Sequence, residues 1–157
     1  MATPDQSTKP LAINRKARHD YFVIESYEAG IELRGTEVKS VRDSLISLAG
    51  GFARVEEGEV ILRNVNISPY EFGNRFNHDP VRPRRLLFHK KEIHRLQTQT
   101  DLKGHTLIPL RVYLRRGLVK VEVGLCKGKQ QQDKRETLRR TTADREAARD
   151  IARVNRR

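Results

Sequence analysis

Apolar and polar positions divide the chain into three parts. An arm up to residue 13 and a tail from residue 127 are largely polar, while residues 14–126 hold most of the large apolar side chains and can build a core. Within that body, Tyr21-Phe22-Val23-Ile24 and Ile31-x-Leu33 read as two strands, and Glu28-Ala29-Gly30 between them predicts a hairpin turn. From Glu37 to Leu48 the period changes: Val38, Val41, Leu45 and Leu48 form one stripe of a helix whose other face carries Lys39 and Arg42. Gly50-Gly51 ends it. Strands over 52–55 and 60–67 follow, about a turn at Glu57-Gly58.

Residues 68–83 hold three prolines and a glycine, too broken for a helix or a central strand, and predict an ordered surface loop. A short strand over 85–88 leads to a helix over 90–100, with Ile93 and Leu96 on one side and Gly104 to end it. Residues 107–114 and 118–125 form the clearest hairpin, turning at Arg116-Gly117; Val119, Val121, Val123 and Leu125 face one way, Lys120 and Glu122 the other. Strand pairs with interspersed helices and no βαβ alternation predict a mainly β fold, a small antiparallel OB-like barrel with two or three short helices. The division is then a flexible arm over 1–13, an OB-like barrel over 14–126 and a basic tail over 127–157.

Charge adds the partner class. Lys and Arg number 32 against 20 Asp and Glu, a net charge of +12, which calls for a polyanion without choosing among RNA, DNA and a membrane surface. The tail holds 11 basic and 5 acidic residues, half of the net excess, and only Leu138, Ile151 and Val154 as large apolar groups. Coil in isolation and helix on RNA are expected of it. Arg135, Arg139, Arg149 and Arg153 recur at helical spacing and would line up one basic face. No apolar run suits a signal segment or a membrane span, so a cytoplasmic protein is expected.

Catalytic chemistry finds little support. His78-Asp79 with His89 and Glu92 offers acid–base or metal-ligating groups, yet no HExxH or other ligand spacing is present, and Asp79 belongs to an Asp-Pro turn. Cys126, the one cysteine, lies within an apolar alternation and reads as a packed thiol. Gly124 and Gly128 are too close together for a P-loop, but Lys127 and Lys129 flank a glycine at the barrel's exit and could reach phosphates. Asn14-Arg15-Lys16-Ala17-Arg18-His19-Asp20-Tyr21-Phe22, basic and then aromatic, reads as a strand lead-in lying across an RNA backbone. Asn74 and Arg75, in the Gly73–Pro80 stretch of amides, arginine and aromatic, suit contacts with exposed bases, although turn chemistry explains much of that composition equally well. No cofactor or metal is expected.

Four blocks together resemble one family: NRKARHDYFVIESYEAGIELRGTEVKSVR, ISPYEFGNRFNHDPVRPRRLLFHKKEI, VKVEVGLCKGK and DKRETLRR. In content and order they are similar to the SsrA-binding proteins, also called small protein B. The resemblance implies binding to the tRNA-like domain of transfer-messenger RNA, support of its alanylation, and delivery with elongation factor Tu to stalled ribosomes. It implies that the tail probes the empty mRNA channel near the small-subunit decoding site. By position, Asn14, Lys16, Tyr21, Glu28 and Lys120 match residues implicated in gripping the RNA, with Leu87 supporting that surface. Glu28 is then expected to accept a hydrogen bond from a base edge. Asp133, Lys134 and Arg135 match the family's ribosome-directed DKR motif; Gln132 and Gln130 stand where many members have an aromatic ring or His and a lysine. A monomer is the default, and a generic basic OB module acting on ribosomal or single-stranded RNA is the alternative.

Overall fold

A computed structural model describes residues 9–72, 77–129 and 131–155. In chain order they form β1 (Pro10–Ile13), α1 (Arg15–Asp20), β2 (Tyr21–Ile31), α2 (Gly35–Arg42), β3 (Ile46–Ser47), β4 (Phe52–Glu56) and β5 (Glu59–Arg63). There follow β6 (Asn66–Ile67), β7 (Arg84–Leu87), α3 (Lys90–Lys103), β8 (Thr106–Arg115), β9 (Leu118–Gly128) and α4 (Gln131–Asn155).

Two-residue turns shape the hairpins where the sequence placed them. Glu57 and Gly58 have φ of 48° and 77°, Arg116 and Gly117 53° and 77°, the left-handed pair that matches strand twist. The strands run in the order β8-β4-β5-β7-β2-β9, and β9 returns to pair with β8, so an antiparallel ring closes; β1 adds outside it, on β8. Closure leaves the ring no unpaired edge. Inside lie Tyr27, Ala29, Val60, Leu62, Leu86, Val112, Val121, Val123 and Leu125, and Val41 of α2 and Leu96 of α3 join the same core. The expected OB-like, mainly β barrel is present.

Several local expectations are corrected. There is no hairpin at Glu28–Gly30: β2 is one strand, paired with β9 from Tyr21↔Gly128 to Gly30↔Lys120, with a bulge between Val23 and Glu25 that breaks its alternation. Gly30 serves close approach instead, since a Cβ there would sit 3.2 Å from Leu87 Cδ1. The expected helix over 37–48 stops at Arg42: Ser44 takes φ 61° and Ile46–Ser47 pair with Asn66–Ile67, so Leu48 is buried by β-structure rather than by a helical stripe. The expected strand over 60–67 breaks at Asn64, φ 60°, into β5 and β6. The expected strand lead-in over 14–20 is the helix α1.

Candidate nucleic-acid interface

Asn14 ends β1 and starts α1. Its Oδ1 accepts from Ala17 N–H at 3.1 Å, while Nδ2 donates to Pro109 and Leu48 carbonyls at 2.9 and 3.3 Å. At 6% exposure the side chain is used within the protein, and it fixes α1 so that Lys16 projects outward. Asn14, Lys16, Tyr21, Phe52, Arg54 and His105 line a cleft of about 670 Å³ between α1, β4 and the end of α3. Beside it, Lys129 bonds back to α1 through its backbone N–H to Asp20 O and its Nζ to Arg18 O, and lies 5.0 Å from the centre of the Phe22 ring. Lys127 is exposed on the strand next to it. Asn14, Lys16, Tyr21, Lys127 and Lys129 therefore share one end of the barrel.

Glu28, Leu87 and Lys120 gather on a second patch, the outer face of β7, β2 and β9. Gly30 is opposite both Leu87 and Lys120, and Glu28 is opposite Glu122. Two carboxylates facing each other across a ladder repel. Each is compensated by an arginine of β8: Arg111 Nε donates to Glu122 at 2.5 Å and Arg115 Nη1 to Glu28 at 2.7 Å. Tyr113 lies between them, its ring 4.6 Å below the Arg111 guanidinium. Burial, followed by the neighbouring Glu28 carboxylate, pushes the Tyr113 hydroxyl far above its ordinary pKa. The Glu28 carboxylate, expected to accept from a base edge, accepts in this structure from Arg115. Its side chain is 6% exposed and that of Arg115 40% exposed, so the group turned outward is the guanidinium. Glu122, assigned to the polar face, is likewise buried by its partner. Arg111, Tyr113 and Arg115 were missed although their i, i+2, i+4 spacing on a strand puts them on one face.

Lys39 and Arg42 project from α2 as expected; Arg42 Nη2 donates to Gly117 O at 3.2 Å and so meets the β8–β9 turn. Below them Glu37, fully buried, accepts from Arg84 and from Arg82 Nη2, and Arg84 also donates to Val65, Asp79 and Pro80 carbonyls. Burial raises the Glu37 pKa, but Arg82, the Arg34 backbone N–H and Arg84 outweigh it and hold the carboxylate below its usual range. His78 is buried, with Nε2 on Ile67 O at 2.8 Å and Nδ1 on Thr36 Oγ1 at 2.9 Å; Asp79 accepts from Val81 N–H. Both are occupied as loop supports. Burial pushes the Cys126 thiol up to about 11. Among the described residues no group of His, Cys, Asp and Glu is placed to hold a metal. Asn74 and Arg75 lie outside the described residues.

Residues 131–155 run as one helix, α4, of which Arg135, Arg139 and Arg149 are exposed. At about 100° per residue these three fall within roughly 80° of one another, with position 153 in the same sector. Residues Asp133, Lys134 and Arg153 lie on this helix. No helix among the described residues is long and apolar enough to cross a membrane.

A closed antiparallel barrel with cations on its outer face and at one end is the architecture of nucleic-acid-binding barrels. Comparison with known proteins narrows the class. The sequence profile described as SmpB protein matches residues 11–153. An SsrA-binding protein of Caldanaerobacter subterraneus subsp. tengcongensis is 58% identical over 146 residues, 93% of this chain and 92% of that protein. One of Geobacillus thermodenitrificans is 53% identical over 146 residues, 93% and 94% of the two chains. A solved structure described as "tmRNA-SmpB: a journey to the center of the bacterial ribosome" contains a chain of similar fold, with a TM-score of 0.66 and 49% identity. The match covers 84% of this chain and 96% of that one. The chain belongs to the SmpB protein family.

Proposed function

We propose that this protein binds the tRNA-like domain of transfer-messenger RNA and acts with it on stalled ribosomes in trans-translation. The observation that carries the reading is the likeness to proteins named for SsrA binding, above 50% identity over more than nine tenths of the chain. The geometry supports it with two patches: the α1 end with Lys16, Tyr21, Lys127 and Lys129, and the outer sheet face with Arg115, Lys120 and Leu87. Asn14 and Glu28 act from beneath, each orienting a cation-bearing element. The α2 cations Lys39 and Arg42 and the loop residues Asn74 and Arg75 extend the contact. In this reading the protein supports alanylation of the RNA, joins elongation factor Tu through the RNA complex, and works as a cytoplasmic monomer.

The tail, residues 127–157, completes the proposal as a segment that is coil in isolation and orders as a helix inside the empty mRNA channel. Arg135, Arg139, Arg149 and Arg153 then face the RNA wall, next to Asp133 and Lys134. Its exposed Leu138 and Ile151 give it little to fold against by itself, and isolated helices are marginal in water. A coil-rich circular dichroism spectrum of residues 127–157 alone is the matching observation; a stable helix there removes this part.

Binding to the tRNA-like domain, to ordinary tRNA and to single-stranded RNA across a salt series tests the function. Preference for the tRNA-like domain at physiological salt is expected. Equal binding to all three, erased together by salt, would leave a generic basic barrel.

A further inference from the structure

On both sides of residues 73–76, the described parts of the 68–83 loop are anchored more firmly than their surface position requires. Arg84 and Glu37, both fully buried, fix its far end through the Pro80 carbonyl, and Ile67 N–H bonds back to the same oxygen at 2.9 Å. His78 ties it to α2 and β6. Asn77 then clamps Tyr70 by both amide atoms, donating to Tyr70 O at 2.8 Å and accepting from Tyr70 N–H at 3.3 Å. Among the described residues of this framework Pro69, Glu71 and Phe72 are exposed side by side, and Phe72 is the aromatic one. Phe72 is 78% exposed and meets Tyr70 edge to face, ring centres 5.7 Å apart at 66°. Lys39 Nζ sits 5.2 Å from the centre of the Tyr70 ring.

A bare phenyl ring, braced by a second ring that carries a cation, on a chain of net charge +12, matches the chemistry of an unpaired nucleobase. The base stacks on the ring, and the lysine of α2 beside Tyr70 meets its phosphate. A protein partner is a weaker fit, because the ring pair stands beside the cation Lys39 rather than on a contiguous apolar surface. We propose that Phe72, backed by Tyr70 and Lys39, is a stacking platform for one unpaired RNA base. The proposal rests on the RNA-binding reading above and adds to it a site of defined chemistry centred on Phe72 and Tyr70, which neither patch includes.

The chain has no tryptophan, so Phe72→Trp introduces a single reporter whose emission a stacked base quenches. The full-length variant is titrated with the tRNA-like domain and, separately, with ribosomes; complex formation is followed independently by mobility shift and sedimentation. Quenching by either RNA supports the platform and tells which one supplies the base. Phe72→Ala and Phe72→Ile should each weaken that complex by about tenfold while Phe72→Tyr retains it, since only a ring can stack. Isoleucine at wild-type affinity, or unchanged emission in complexes shown to form, overturns the proposal. Failure of the wild-type protein to bind the tRNA-like domain refutes the functional reading instead, and quenching by ribosomes still tests the platform.

Discussion

At the scale of single residues, the Glu28–Arg115 pair carries the most consequence. Glu28 faces Glu122 across the ladder, so without its arginine it would be a half-buried carboxylate beside a like charge. Arg115 holds it at 2.7 Å and remains 40% exposed, able to donate to a phosphate or a base edge. If Glu28 acts by orienting this guanidinium, the two residues are one unit. Glu28→Gln and Arg115→Ala should each weaken binding to the tRNA-like domain by roughly 1.5–3 kcal/mol, the range of hydrogen bonds to charged groups. The double variant should be no worse than the poorer single, because a unit is lost only once. Additive losses would show that Glu28 touches the RNA directly. Arg115→Lys, which keeps the charge without the planar fork, should restore only part of the affinity.

Among the elements, α2 and the 68–83 loop show how one buried group organises several exposed ones. Glu37 joins Arg82 and Arg84, and Arg84 carries the loop carbonyls. Removing the carboxylate leaves Arg84 charged and buried, so Glu37→Gln should cost about 3–5 kcal/mol of stability by chemical denaturation. The pH dependence has a definite sign. The folded pKa of Glu37 lies below its ordinary value of 4.5, so its contribution is present above that value and is lost as pH falls through the lower, folded pKa. The wild type should lose stability below about pH 4.5 more steeply than Glu37→Gln; parallel acid curves would remove Glu37 from this role. Sequence reading finds such elements unevenly. The two left-handed turns and the β8–β9 alternation were visible because glycine and period two are local signals. The continuity of β2 was not, since its bulge and Gly30's contact with Leu87 belong to the assembled barrel. In the candidate site, the surface positions of Lys16 and Lys120 follow from local pattern, whereas the internal use of Asn14 and Glu28 requires partners distant in sequence, Pro109 and Arg115.

Over the whole molecule, half of the net +12 lies in the tail, which raises the question of whether body and tail share one task. A uniform polycation would lose affinity in proportion to each charge removed, with the salt slope falling by about 0.7–0.9 per lost phosphate contact. Replacing Asp133, Lys134 and Arg135 together by alanine removes two positive charges and one negative, a net change of one in twelve. Bulk attraction to RNA is therefore almost unaltered. If the barrel grips the tRNA-like domain and the tail acts within the mRNA channel, the triple variant should bind that domain within about threefold of the wild type, a difference under 1 kcal/mol. Its salt slope should shift by less than about one. Tagging of nascent chains on stalled ribosomes should nevertheless be lost. A fall in affinity as large as the fall in tagging would mean that the tail helps to hold the RNA, so that the boundary near residue 127 separates structures without separating functions. Intact affinity with absent tagging would instead locate the ribosomal step in three residues of α4, and the remaining arginines of that helix could then be replaced singly to find which of them face the channel wall.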